Sequence, residues 1–510
     1  MRAGGRGRLV DPRPPTSYAS GMRRVLVLVA LASLLLTRSA TAYDEPIHME
    51  LSRHAYAGPA EPTEDPAAVA ALRARVYRAG AEAADPALRA RFLARWPTPQ
   101  SFDAWEMKHF FALDPSATVV GFDDIPLPPG PGVESYAVAS RLPDNDKRNQ
   151  DRYRRDAKRE IIRDAWGRPL PEDPATLAMG SLTGLSSQAH AHYGLPRVEL
   201  SDDPQVLKTD PRRFAFPRTA HGFTAEFAGS YTTLAILAAR IPGGERLALA
   251  HAGAAAHHLE DAANQIHTVQ VGLYEFFVDA KIQSILEDLR TAGGLLGARA
   301  GMVPIGIDIL TNHHLIAEKL YAKRFLAGDP AAQPKGPPDP ELAAALARIP
   351  PGCGPEAGEE IVQAIVERSS REGADVYRAT REIADRRWSR AGVRFGDDDD
   401  PEAALRPDAK LDRFLALEVA GMVRAGQGLH AWWDRFLTCR GAPADVEAAA
   451  AERLVRVRLD ALDAAEARAL AWKPEPPESR RVAWWVPITY VALLAVAALL
   501  VVRRRRARAR

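Results

Sequence analysis

The chain has 510 residues and a formal net charge of +2, so its overall charge argues for neither a nucleic-acid partner nor an acidic one. Its length suffices for two or three domains with a full hydrophobic core. Ala, Leu, Arg and Glu dominate between 40 prolines and 36 glycines, which predicts helices joined by stiff linkers.

Residues 1–21 carry no apolar pattern. Met22 opens an export-signal pattern, with basic Arg23 and Arg24, an apolar run from Val25 to Leu36, and the small-x-small site Ala40-Thr41-Ala42. The apolar run is too short to span a bilayer comfortably, so residues 1–42 read as an N-terminal extension and signal peptide. Cleavage after Ala42 would leave Tyr43 as the new N-terminus. Helical spacing then recurs over Val69–Ala81, Pro86–Arg95, Arg152–Trp166, Thr224–Ala239, Leu247–His267, Leu273–Arg290 and Ile309–Phe325. Alternating β-branched runs are nearly absent, so the expected class is all-α with no large sheet. Gly293–Gly297 and Gly301–Gly306 form a glycine-rich apolar loop, read either as a buried connection between helices or as a lip that touches lipid.

Residues 328–340 are a Pro-rich linker, which closes a first unit at 43–327. A second helical segment follows over 341–471, with no catalytic constellation. Its run Asp397–Asp400 reads as a solvated loop, because a calcium site needs ligands spaced around a turn. Cys353 and Cys439 fit one disulfide outside the cytosol and two unrelated thiols equally well. A linker at 472–481 leads to Val482–Val502, 21 residues without a charge, long enough to cross a bilayer. Trp484, Trp485 and Tyr490 suit an outer interfacial belt, and the Arg-rich stretch 503–510 follows at once. The positive-inside rule then predicts an exported single-pass membrane protein, with residues 43–481 outside and the tail cytoplasmic.

The stretch from Leu247 to His267 reads as one buried helix. His257 and Asp261 are four residues apart and share a face, and His267, ten residues past His257, points roughly the same way. Imidazoles and a carboxylate converging without a thiolate make a zinc-ligand set. A hydrogen-bonded core histidine is the plainer reading of any one of these residues, but three converging on an apolar helix favour a metal.

The spacing H-x3-D-x5-H at His257, Asp261 and His267 resembles the central motif of the zinc-dependent phospholipase C family and of the related single-strand-specific zinc nucleases. The resemblance implies an all-helical domain holding up to three Zn2+, with ligands in a fixed chain order. Tyr43 would supply its terminal amine and carbonyl where the family usually has Trp, and His48 follows at the five-residue step of the nuclease branch. His192, in the context His190-Ala191-His192-Tyr193, matches the fourth position, with His190 as its rival. Asp144 is taken for the Asp position, while Asp146, Asp173 and Asp124 stay open. His314 and Glu318 supply the H-x3-E that follows the motif. Glu275 is the fallback, although the residue four before it is Val271.

On this resemblance Asp144 would bridge two zincs, with Asp261, His257 and His192 on one of that pair. His267, His314 and Glu318 would fill another site, and Tyr43 and His48 the third. Zinc lowers the pKa of bound water to about 7, and two zincs roughly 3.5–4 Å apart can clamp both oxygens of an in-line displacement at phosphorus. The implied function is a membrane-anchored, extracytoplasmic, phospholipase C-like phosphodiester hydrolase. A phospholipid substrate is favoured by the tether and the glycine-rich loop. A single-strand nuclease is the alternative within the superfamily. A non-catalytic helical cell-surface protein with structural zinc is the alternative from another class.

Overall fold

The computed structural model describes residues 45–104, 106–107, 130–145, 192, 194, 224–268, 302–390, 393, 395–396 and 399–471. The signal pattern, Tyr43, the expected helices 152–166 and 273–290, the linker 472–481, the apolar span 482–502 and the Arg-rich tail lie outside them. Thirteen α-helices are described: α1 (Glu45–Ala55), α2 (Ala67–Ala81), α3 (Pro86–Arg95), α4 (Gly132–Asn145), α5 (Thr224–Ala239), α6 (Glu245–Ala263), α7 (Gln265–Thr268), α8 (Met302–Leu326), α9 (Pro340–Leu346), α10 (Glu356–Ser369), α11 (Gly373–Ile383), α12 (Asp412–Arg440) and α13 (Ala444–Ala471). Among the described residues there is no strand, and the one isolated bridge pairs Ala384 with Leu405. None of these helices is long and apolar enough to cross a membrane.

Local chemistry sets several boundaries. Asp85 accepts from the Ala87 amide at 2.8 Å with Pro86 in the first turn, and Asp339 caps Glu341 and Leu342 at 3.0 and 3.1 Å ahead of Pro340. Each aspartate satisfies amides that a helix start leaves unpaired, and proline there gives up no bond. The same rule corrects the expected glycine-rich loop over its second half. Met302–Gly306 are already helical, since Pro304 falls in the first turn of α8, where its missing N–H costs nothing. Residues 293–301 are outside the described set.

Helix α6 is the axis of the fold. Every residue from Ala248 to Ala263 is buried. A helix buried all round needs partners on every side, and its alanines let α4, α5, α10 and α12 all pack on it. Gly253 makes the closest approach possible, because a Cβ there would lie 2.4 Å from Ala139 Cβ and 2.8 Å from the Ser140 amide nitrogen of α4. On another side, α12 places Trp432 and Trp433 in the interior. Trp432 Nε1 donates to Thr232 Oγ1 of α5 at 2.7 Å, and the ring of Trp433 meets Tyr136 of α4 and Tyr56 edge-on. One hydrophobic core therefore runs from Ile47 to Leu462. Cys353 and Cys439, with Cα atoms 5.4 Å apart, are joined in a disulfide, which decides between the two readings of these residues. In the acidic run, the exposed Asp400 pairs with Lys323 at 2.6 Å.

Candidate metal centre

The expected unbroken helix from Leu247 to His267 is interrupted. Helix α6 ends at Ala263, and Asn264 is extended, with φ −68° and ψ 114°. Asn264 Oδ1 accepts from the Ile266 amide at 3.1 Å, so the residue starts the short helix α7 in the way asparagine caps do. On a continuous helix His267 would lie about 80° around from His257. The break instead swings it toward α8.

Three groups of buried donors result: His48 with His257 and Asp261, His192 with His258 and Asp261, and His267 with His314 and Glu318; within each, the ligand atoms lie within 4.8 Å of one another. Asp261 belongs to two of them. Its Oδ2 sits 2.6 Å from His192 Nδ1 and 3.1 Å from His257 Nε2, and its Oδ1 lies 3.7 Å from His48 Nε2. The resemblance seats Asp261 with His257 and His192 and keeps His48 apart, whereas here Asp261 stands between them. In the third group, Glu318 Oε1 is 2.9 Å from His314 Nε2 and 3.4 Å from His267 Nε2. Asn264, at the break, donates to the same oxygen at 3.4 Å.

The imidazoles are oriented from behind. His257 Nδ1 lies 2.8 Å from the Ser140 carbonyl, on the helix that Gly253 admits to close range. His267 Nδ1 lies 3.2 Å from the His192 carbonyl, and the Gly194 amide returns a bond of 3.0 Å to the His267 carbonyl. His48 Nδ1 lies 2.5 Å from Glu260 Oε2. A ring whose Nδ1–H donates to a carbonyl or carboxylate presents Nε2 as a lone pair, the form in which histidine binds metals.

Of the residues singled out in the sequence, His48, His192, His257, Asp261, His267, His314 and Glu318 all enter this cluster. Tyr43 lies outside the described residues. Asp144 lies in the last turn of α4, one turn beyond Ser140, and its side chain is likewise outside them. Glu260, Ser52 and His258 are not singled out by the motif, yet they sit within it. The signal for Glu260 is its charge, an acid beside Asp261 in the part of the helix that is otherwise mainly alanine, leucine and histidine.

Burial dominates the electrostatics. His48, His192, His258 and His267 all titrate well below or below the usual imidazole range, first because they are desolvated, and the neighbouring imidazoles push the same way. They are therefore neutral at pH 7. For Asp261 burial would raise the pKa, but His257 and His192 overcome this and hold the carboxyl well below its ordinary value. Burying carboxylates and imidazoles together is costly unless a cation compensates. Asp261 Oδ1 is buried and receives no hydrogen bond. Neutral imidazoles, an ionised carboxylate and an acceptor oxygen without a donor make a donor set that a divalent cation fits.

The later part of the chain holds these elements in place. Gln265 of α7 donates to the Leu417 carbonyl of α12 at 2.6 Å. Asn312, two residues before His314, donates to the carbonyls of Val393 and Trp388 at 2.7 and 3.0 Å and accepts from the Phe395 amide at 2.7 Å. Comparison of the chain with protein-family models, with curated proteins and with solved structures finds no match.

Proposed function

We propose that the chain is a zinc-dependent phosphodiester hydrolase of the phospholipase C type. One observation carries this reading. Side chains from four separate places (α1, residue 192, the α6–α7 pair and α8) meet in one buried cluster, and they do so in the chain order that the resemblance implies. Imidazole and carboxylate donors without a thiolate suit zinc. The residues that would hold it are His48, His192, His257, Asp261, His267, His314 and Glu318, with Tyr43 and Asp144 carried over from the resemblance alone. Zinc, when bound, lowers the pKa of its water to about 7 and so supplies a nucleophile for attack at phosphorus at neutral pH.

The chain's own residues set the conditions for that chemistry. Asp261 spans two donor groups and can fix their separation. The Ser140, His192 and Glu260 oxygens lock the ring orientations. The apolar walls of α5 and α6 keep bulk water from the ligands, which strengthens each electrostatic contact. Phospholipid is the substrate class proposed, on the strength of the apolar span at 482–502 read from the sequence.

Elemental analysis of the purified full chain, never exposed to chelator, tests the reading. More than one zinc per chain is expected, and a chain without stoichiometric metal refutes it. Detergent-dispersed phospholipid should then be cleaved to a phosphorylated headgroup with higher kcat/KM than single-stranded DNA or RNA. Nucleic acid as the better substrate would make the protein a nuclease, and stoichiometric zinc with neither activity would make the metal structural.

A further inference from the structure

Glu260 has no role in the ligand set, yet it is fully buried at the centre of the cluster. Its two oxygens are both engaged from one helix. Oε2 lies 2.5 Å from His48 Nδ1, and Oε1 accepts from Ser52 Oγ at 2.9 Å. His48 and Ser52 are four residues apart on α1, so one helical face presents a ring N–H and a hydroxyl side by side. The carboxylate grips that face at both points across 212 and 208 residues of chain. An ionised carboxylate acts as acceptor only, so with Glu260 ionised the proton of the His48 ring sits on Nδ1. Its Nε2 is then aimed toward Asp261 Oδ1, 3.7 Å away. That is too long for a hydrogen bond, and it sets two lone-pair donors facing one position.

We infer that Glu260 is a positioning residue. Held by Ser52, it fixes the tautomer and rotation of His48 so that His48 Nε2 and Asp261 Oδ1 converge on one metal position. A carboxylate behind a histidine ligand is a recognised way to orient the ring and raise its basicity. Here the carboxylate is the helical neighbour of Asp261, so α6 delivers both the ligand and the group that aims its partner ligand. The inference rests on the metal-binding reading above.

The test uses the full chain and zinc itself. Zinc affinity is measured by competition with a chromophoric chelator in wild type, Glu260→Gln, Glu260→Ala, Ser52→Ala, His48→Ala and the double variant His48→Ala/Glu260→Ala. Glu260→Ala is expected to weaken one zinc equivalent about 10- to 100-fold, the usual cost of losing such an outer partner. Glu260→Gln keeps an acceptor oxygen and should fall between Glu260→Ala and wild type. Ser52→Ala should have the mildest effect. In the His48→Ala background the Glu260→Ala change should add little, because coupled residues are not additive.

A second readout needs no metal. In metal-free chain with 15N-labelled histidine, His48 should carry its proton on Nδ1 in wild type and Glu260→Gln and redistribute it in Glu260→Ala. A purely structural role would lower stability without moving either readout. A wild-type chain that takes up no zinc overturns the functional reading and this inference with it. A wild-type chain that takes up zinc, with Glu260→Ala unchanged in affinity or strictly additive with His48→Ala, overturns this inference alone.

Discussion

Glu418 offers the sharpest test of how burial governs this protein. It lies on α12 with its side chain inside the core, only 2 % exposed, and Oε1 receives no hydrogen bond. Desolvation pushes its pKa up from 4.5 to about 8, and the nearby Arg424 offsets only part of this. The carboxyl is therefore protonated at neutral pH in the folded chain and ionised in the unfolded one. The sign of the linkage follows from that difference. Below pH 4.5 both states hold the proton and folding loses nothing. As pH rises from 4.5 to about 8 the unfolded state releases a proton that the folded state keeps, and stability falls. Above that window the folded chain bears the whole cost of an ionised buried group. At about 1.4 kcal/mol per pH unit, the interval of about 3.5 units integrates to about 5 kcal/mol. Glu418→Gln keeps the shape and removes the titration. Its thermal midpoint should match wild type, apart from a constant offset, near pH 4.5 and exceed it by several degrees at pH 8. Infrared difference spectra between the two proteins should show a protonated carboxyl at pH 6 that is lost with a midpoint near pH 8. An offset between the two melting curves that stays constant from pH 4.5 to pH 8 would refute the argument.

Three further outcomes are expected. Opening the Cys353–Cys439 link releases a loop with a sequence separation of 86, which on the chain-entropy account destabilises by about 4–5 kcal/mol; melting of Cys353→Ser/Cys439→Ser, or of wild type under reductant, measures it. Gly253→Ala places a methyl 2.4 Å from Ala139 Cβ with backbone atoms beside it, so α4 must retreat; a loss of about 1–3 kcal/mol and easier removal of metal by chelator should appear together. Zinc release should steepen as pH falls, because His48, His192 and His267, neutral when buried, take up protons once the metal leaves and the site opens; metal retained after dialysis at pH 5 against pH 7 reads this directly.

How much of this was legible in the sequence depended on whether a feature was local. Helices α3 and α5 begin and end where spacing placed them, at Pro86–Arg95 and Thr224–Ala239, because the Asp-Pro start and the apolar run are local signals. The four-residue steps His257–Asp261 and His314–Glu318 were also visible, since a helix face follows from spacing alone. The break at Asn264 was not. Asparagine inside a helical pattern is a weak stop, and what turns it into a cap here is the direction taken by α7, held by Leu417. Nor could the role of Glu260 be read, because His48 and Ser52 meet it only through the packing of α1 on α6. The stretch 302–306 misled in the opposite sense: Pro304 with Gly306 looks like a loop, but a proline in a first turn is tolerated.

The bond from Gln265 to Leu417 has a consequence for biosynthesis. Its two ends are 152 residues apart, and a ribosome adds about 5–20 residues per second. For roughly 8–30 s after Gln265 is made, the helix that carries His267 lacks this bond to α12. During that interval α6 also lacks the α12 tryptophan face that later encloses its neighbours. The nascent chain thus leaves the α12-facing side of this alanine-rich helix uncovered until its last third arrives. Any metal captured earlier would meet donors from α1, residue 192 and α6 without the α12 packing behind them. Final enclosure of the centre is therefore timed by the synthesis of α12, a segment that contributes no donor to it.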